Sequence, residues 1–393
     1  MKLAVVGADP ELVRIARWIQ SDSEHTVIAI HNSGEFKDEL FSLFPHVRPG
    51  EDWHALLAND DVDAAIISRR PHDDSQLLER ADQLKKMIDG QVPMMLMHPV
   101  CLSIDAIECE MIRRDTKCIL VPFTPYCDAP SFVRLKEVVH DESSKIGPIE
   151  QIVIERFAKN RQRSSVLESF AGDALLMAEL IGPIRQVGAM ASDQGDLGFA
   201  NLSVNVTGAS MQSGRWSIGP VDDFLGARLT AIGPTGKVEL EMPNDSFDHR
   251  LTIAGNVENT SPWSFEDACK SSLQQLEDQV TKRTYSTKRW DLIRHGLEIS
   301  DNVEQSCRRR RTIEILSEEP TEEDTFKAIM TAGGCFMLFW VLFLLPFDGV
   351  IPDDSVFRTI WYGLFLLPLG LFLGLQMLKL LFNEKTDRPE SSD

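Results

Sequence analysis

Short apolar runs alternate with helically spaced apolar residues through the first third of the chain. Lys2–Val6 reads as a strand buried on both faces, Gly7 ends it, and Leu12, Val13, Ile15, Ala16 and Ile19 recur at helical spacing. The same alternation continues with strands at His25–Ile30, Val62–Ser68, Val92–Met97 and Lys117–Phe123. Helices are predicted between them at Glu35–Phe44, Trp53–Ala58, Leu77–Ile88 and Ile104–Arg114. Strand and helix in turn, with short connections, specify an α/β fold with a doubly wound parallel sheet.

From about Ile149 the strands change character and alternate apolar with polar residues, as in Gln151–Phe157, Asn201–Val206, Arg228–Ile232 and Lys237–Glu241. These suit an open antiparallel sheet with one covered face, and Gly233–Gly236 supplies a hairpin turn. Helices at Phe265–Lys282 and Lys288–Arg308 and a short strand at Thr312–Leu316 complete a second, α+β domain. The predicted domains are therefore 1–125 and 126–316, followed by an acidic linker at 317–327. Residues 328–347 and 359–378 are two uncharged apolar stretches of 20 residues each, joined by an acidic loop at 348–358 and followed by a polar tail at 379–393. At about 1.5 Å per helical residue each stretch is long enough for a bilayer core of about 30 Å. Lys327, Lys379, Lys385 and Arg388 flank the outer ends, so the expectation is two transmembrane helices with the soluble domains and both termini cytoplasmic. No ionisable residue lies inside either stretch, which argues against a conduction path.

A formal net charge of -20, with no basic stripe, excludes nucleic acid as a partner. Seven cysteines fall at no metal-ligand spacing and are expected reduced and mostly buried. Asp9, Pro10 and Glu11 interrupt the first apolar run before a signal-peptide core is complete.

The chemistry of a dinucleotide site would lie in the turn after the first strand. The usual G-x-G-x-x-G fingerprint keeps only Gly7 here: Asp9 and Leu12 hold the other glycine places. Gly7, Ala8 and Asp9 are the candidates to meet a pyrophosphate, and His31 and Asn32, after the second strand, to meet the ribose. No Asp or Glu stands at that strand end to bond a ribose hydroxyl. Asp9 before Pro10 also forms a good helix N-cap, worth on the order of 1 kcal/mol. A carboxylate facing a phosphate at about 4 Å costs on the order of 4 kcal/mol at an effective dielectric near 20, and repulsion outweighs capping. The capping carboxylate also takes the backbone N–H groups that a pyrophosphate would use.

Five segments together resemble the glucose-fructose oxidoreductase and inositol dehydrogenase family, Gfo/Idh/MocA, over roughly Met1–Leu316. They are the VVG start, NDDVDAAIIS (Asn59–Ser68), MMLMHPVCLSIDAIE (Met94–Glu108), IGPIEQI (Ile146–Ile152) and AIGPTGKVEL (Ala231–Leu240). The resemblance implies a Rossmann-like domain holding NAD or NADP and an oxidoreductase moving hydride to or from a sugar-like or polyol substrate. It also implies a homo-oligomer contact on the open sheet. In the family's E-K-P motif the lysine place is His98, with Pro99 after it. Aligned back from Leu180, Ile181 and Gly182, the second-domain acid falls at Glu168 and the histidine place at Gly172, with Asp173 beside it. His98, Glu168 and Asp173 are thus the catalytic candidates, each with a structural alternative. Two functions stay open: a membrane-anchored NAD(P)-dependent oxidoreductase, and a catalytically degenerate relative serving as a membrane-tethered binding or scaffold protein. Arg308–Arg311 suits a helix C-terminus or, alternatively, anionic lipid.

Overall fold

Alternating side chains of the first five strands enter two different cores, which is why those strands lack a polar face. The computed structural model describes residues 1–315 except 23, 48–52, 60, 72, 142–143, 193–194, 210, 222–223 and 245. The parallel sheet contains β1 (Lys2–Val6), β2 (Thr26–His31), β3 (Ala64–Ile67), β4 (Met94–Met97) and β5 (Leu120–Phe123), in the order β2-β1-β3-β4-β5. Leu3, Val5, Ala64 and Ile66 face helix α1 (Pro10–Asp22), while Ala4, Val6, Ala65 and Ile67 belong to the opposite core. The order reverses between β1 and β3, and this reversal opens a crevice at their carboxyl ends. Helices α2 (Lys37–Leu43), α3 (Asp74–Asp89) and α4 (Ser103–Thr116) complete the crossovers, and Trp53–Ala58 is a 3-10 helix.

The second sheet is mixed, not antiparallel throughout. After α5 (Pro130–His140), β6 (Gln151–Phe157) leads into α6 (Arg163–Ile181), β7 (Ile184–Met190), β8 (Ser203–Gly208) and β9 (Ser213–Gly219). β9 then lies parallel to β6, because the chain returns through α6 and the β7–β8 pair before rejoining it. β10 (Gly226–Gly233), β11 (Gly236–Pro243), β12 (Arg250–Ile253) and β13 (Asn256–Glu258) extend the other side as an antiparallel meander. The inner face buries Ile152, Ile154, Trp216, Leu229 and Leu240. Across the outer face, Glu155 pairs in register with Arg228, Arg228 with Glu241 and Glu241 with Arg250. This row alternates in sign, so neighbouring strands attract rather than repel.

Two last helices return to the parallel sheet. α7 (Phe265–Lys282) begins in a capping box between Ser264 and Asp267 and buries Phe265, Cys269, Leu273 and Leu276 in the α1 core. α8 (Lys288–Arg309) packs against α4 and α6, and β14 (Ile313–Glu314) pairs with β7. The two sheets therefore sit in one unit, Met1–Ser317. Among the described residues no helix is long and apolar enough to cross a membrane; the two apolar stretches predicted as spans lie outside them. Cys101, Cys109, Cys118, Cys127, Cys269 and Cys307 are free thiols.

Gly7 fixes how closely β1 approaches β3. Its φ is +113°, and a Cβ there would lie 1.9 Å from Ser68 Oγ. Gly7→Ala should destabilise the fold by about 2 kcal/mol or more, measured by urea unfolding, since strained backbone and overlap with Ser68 add.

Candidate functional site

The helix that follows Gly7 begins with its own acceptor. Asp9 Oδ1 accepts the backbone N–H of Glu11 at 2.8 Å and of Leu12 at 3.4 Å, the N-cap geometry the sequence predicts. Pro10 at the first helical position has no N–H to offer. Asp9 is only 7% exposed, and its second oxygen lies 3.7 Å from Arg69 Nη1.

Arg69 follows β3, so the sheet reversal brings it against the start of α1. It is ion-paired with Glu11 and sits 3.5 Å from Glu168 on α6, and its Nε donates to the His98 carbonyl at 3.1 Å. Burial disfavours the Arg69 charge, but Glu11, Asp9 and Glu168 outweigh it and push its pKa up. Burial likewise raises the Glu11 pKa against the opposing pull of Arg69. One guanidinium thus joins α1, β3, the end of β4 and α6.

A cleft of about 540 Å³ opens beside this cluster, with Arg14, Tyr126, Arg156, Gly172, Asp173 and Asn244 in its wall. Asp173 is 1% exposed and is spent on structure. Arg156 Nε donates to its Oδ2 at 2.9 Å, Arg156 Nη2 is ion-paired with Oδ1, and the Trp216 indole N–H donates to Oδ2 at 2.8 Å. Burial works against the Arg156 charge, and Asp173 more than offsets it. Arg156 Nη1 also donates to Asn244 Oδ1 at 2.9 Å.

His98 lines the same cleft with its Nε2 3.2 Å from the Ala171 carbonyl, so that nitrogen carries the proton and donates. Burial pushes its pKa down to about 3, and the ring is neutral at physiological pH. A proton acceptor with that pKa is too weak to remove a hydroxyl proton efficiently. Glu168 stands at the mouth, tied to Arg69. A Cβ on Gly172 would meet nothing within 4 Å, so the place that the resemblance assigns to a histidine is open space. Tyr126 stacks on Phe247 at 5.3 Å and His249 at 5.8 Å, and burial raises its pKa, keeping the hydroxyl protonated.

The candidate ribose contacts are engaged elsewhere. His31 is buried, Asn32 Nδ2 donates to Glu79 at 3.0 Å, and a Cβ on Gly34 would lie 2.9 Å from Ala8 Cβ, so the loop after β2 rests on the turn. Pro99 is buried, and its carbonyl accepts the Arg70 N–H at 2.7 Å. Asp9 lies against Arg69, which lines the cleft together with His98, Glu168 and Asp173, whereas His31 and Asn32 are not in that lining. These residues do not fit a dinucleotide. The Glu11 and Leu12 N–H groups, the helix-start donors that a pyrophosphate would use, are taken by Asp9, and the Asp9 and Glu11 carboxylates add negative charge at the same helix start. Arg69, Arg156 and Tyr126 were missed in the sequence. The available signal was position: a residue just after a strand at a sheet reversal lies in the binding crevice.

No family model and no curated protein matches the chain. Solved structures share its fold. A myo-inositol dehydrogenase from Corynebacterium glutamicum is 16% identical with a TM-score of 0.63, over 81% of this chain and 99% of its own. A scyllo-inositol dehydrogenase from Lactobacillus casei, solved with NAD(H) and scyllo-inositol, is 12% identical with a TM-score of 0.63, over 81% and 99%. An oxidoreductase from Agrobacterium radiobacter, in complex with NAD+, L-tartaric acid and magnesium, is 12% identical with a TM-score of 0.66, over 80% and 98%. These are oxidoreductases of the type that the five sequence segments resemble, and at such identities the likeness is one of fold.

Two outcomes follow from the buried charges. Asp173→Asn leaves Arg156 without its counter-charge and should cost about 3 to 5 kcal/mol in unfolding free energy. For His98, the folded protein takes up a proton only near pH 3, whereas the unfolded chain does so near the ordinary histidine value of 6.5. Stability should therefore fall as pH drops below 6.5, by about 1.4 kcal/mol per unit from this group. His98→Asn should flatten that slope in urea titrations compared at about pH 7 and about pH 5.

Proposed function

We propose that this chain is a membrane-tethered binding protein for a neutral, hydroxyl-rich small molecule, built on the fold of polyol dehydrogenases but without their dinucleotide chemistry. The observation that carries this reading is the Asp9 carboxylate, bonded to the Glu11 and Leu12 N–H groups where a pyrophosphate would sit. The cleft wall favours a neutral ligand, since Arg14, Arg69 and Arg156 are matched by Glu11, Glu168 and Asp173. The Tyr126 hydroxyl and Asn244 Nδ2 supply hydrogen bonds suited to ligand hydroxyls, and Gly172 leaves room for a ring. The scyllo-inositol held by the Lactobacillus casei enzyme supports that ligand class. Residues 328–347 and 359–378 would supply the tether, holding the cleft on the cytoplasmic side.

A second reading is an NAD(P)-dependent oxidoreductase acting on a CH–OH group. It is favoured by the cleft's position at the sheet reversal and by the NAD in solved structures of this fold. Calorimetry on the full chain in detergent separates the two. The expected result is no heat with NAD(H) or NADP(H) at millimolar concentration and saturable heat with a cyclitol or sugar in a polyol panel. Gly172→Phe, which fills the cleft from a helix position with open space, should abolish the polyol signal and leave the melting temperature unchanged or higher. Nicotinamide binding by the wild-type chain, or polyol-dependent nicotinamide reduction, would sink the first reading.

A further inference from the structure

Four consecutive arginines, Arg308–Arg311, end helix α8 in a chain whose formal net charge is -20. All four are exposed, and among the described residues no carboxylate pairs with Arg308, Arg309 or Arg311. The turn that carries them is fixed to the mixed sheet. Ser306 is fully buried, and its Oγ accepts the Ala189 N–H of β7 at 2.9 Å and donates to the Arg311 carbonyl at 2.7 Å. Arg310 caps the helix in the left-handed region at φ +51°, and β14 then pairs with β7 at the edge of the sheet. Met190, which follows Ala189 at the end of β7, is 69% exposed. Arg308 also stands in the wall of a second cavity, of about 490 Å³, lined from the start of α6 and the end of α8. The other charged groups described in that wall are matched: Arg163 Nε donates to Glu304 Oε1 at 2.9 Å, and Asp301 accepts the Ser103 N–H at 2.9 Å and lies 3.6 Å from Arg70. Among the described residues Arg308 is the unmatched charge there, so this side of the molecule favours an anion.

We propose that the Arg308–Arg311 turn docks on a surface of acidic phospholipid. Guanidinium groups match phosphate and carboxylate oxygens bidentately, and clustered basic residues are drawn to anionic headgroups. An exposed methionine beside them suits the apolar boundary beneath those headgroups. Chain continuity favours lipid over another acidic partner. Ala328, where the first apolar stretch begins, follows Arg311 by 17 residues, a reach of at most about 60 Å. The acidic linker at 317–327 is the competing counter-charge, and it is told apart by dependence on lipid composition. The inference rests on the membrane-tethered reading for its source of lipid, and not on what the cleft binds.

The test reconstitutes the full chain with vesicles of phosphatidylcholine alone or with about one-third phosphatidylserine, and follows phenylglyoxal labelling of individual arginines by mass spectrometry. Labelling of Arg308, Arg309 and Arg311 should slow at least about fivefold with the acidic vesicles, and most of that difference should vanish in about 0.5 M salt. Arg250, on the far side of the mixed sheet, and Arg283, after α7, are exposed and should label equally with both lipids. Equal labelling of the turn with the two lipids, as expected if the acidic linker already neutralises it, overturns the proposal. So does equal slowing by millimolar inorganic phosphate with phosphatidylcholine vesicles, which marks a site for free phosphate. Alkaline extraction of the same vesicles reads the tether separately: loss of the chain to the supernatant sinks the two spans, while the labelling contrast between the lipids still decides the turn.

Discussion

The ion cluster around Arg69 governs what the cleft can hold. A single guanidinium reaches Asp9 and Glu11 at the start of α1, the His98 carbonyl at the end of β4 and Glu168 on α6. Each carboxylate is tolerable in a half-buried setting because Arg69 is there, and Arg69 keeps its charge because they are. The arrangement fills the start of α1 with matched charge, Arg69 against Asp9 and Glu11. It also ties the parallel sheet to the second sheet's covering helix at the mouth of the cleft.

Below the mouth, the same logic repeats with a drier pair. Asp173 and Arg156 face each other on the inner, apolar side of the mixed sheet, closed by the Trp216 indole and by Asn244. A buried ion pair adds little net stability over an apolar pair of the same shape, but breaking it is expensive. Its consequence for chemistry is that the Asp173 carboxylate, next to Gly172 in the chain, is already committed. His98 is committed as well, its proton held by Ala171 and its second nitrogen left without a partner among the described residues. The cleft wall is therefore rich in charge but poor in groups free to exchange a proton.

The parallel sheet was legible because each of its strands is short, apolar and bounded by a turn, and the helices between them carry one apolar stripe. Helix α6 was not, for the opposite reason. Val166, Phe170, Ala174, Met177 and Ile181 are buried along with residues on its other faces, so no stripe stands out against a polar side. β7 and β9 were missed beside it, and with β9 went the one parallel pairing that makes the second sheet mixed. Register between strands distant in sequence has no local signature, whereas the β10–β11 hairpin announces itself through Gly233–Gly236.

What the sequence by itself determined was everything carried by contacts a few residues apart. The Asp9 cap is the clearest case, since donor and acceptor lie two and three positions apart, and the lost glycines, the missing ribose acid and the two apolar stretches are of the same local kind. The tertiary structure decided which charges meet. Arg69 finds Glu11 58 residues away, and Arg80 reaches the Gly7 turn only because β1 and β3 are neighbours in the sheet. Electrostatic partnership depends on distance in space and on burial, and neither is written in the spacing of residues along the chain.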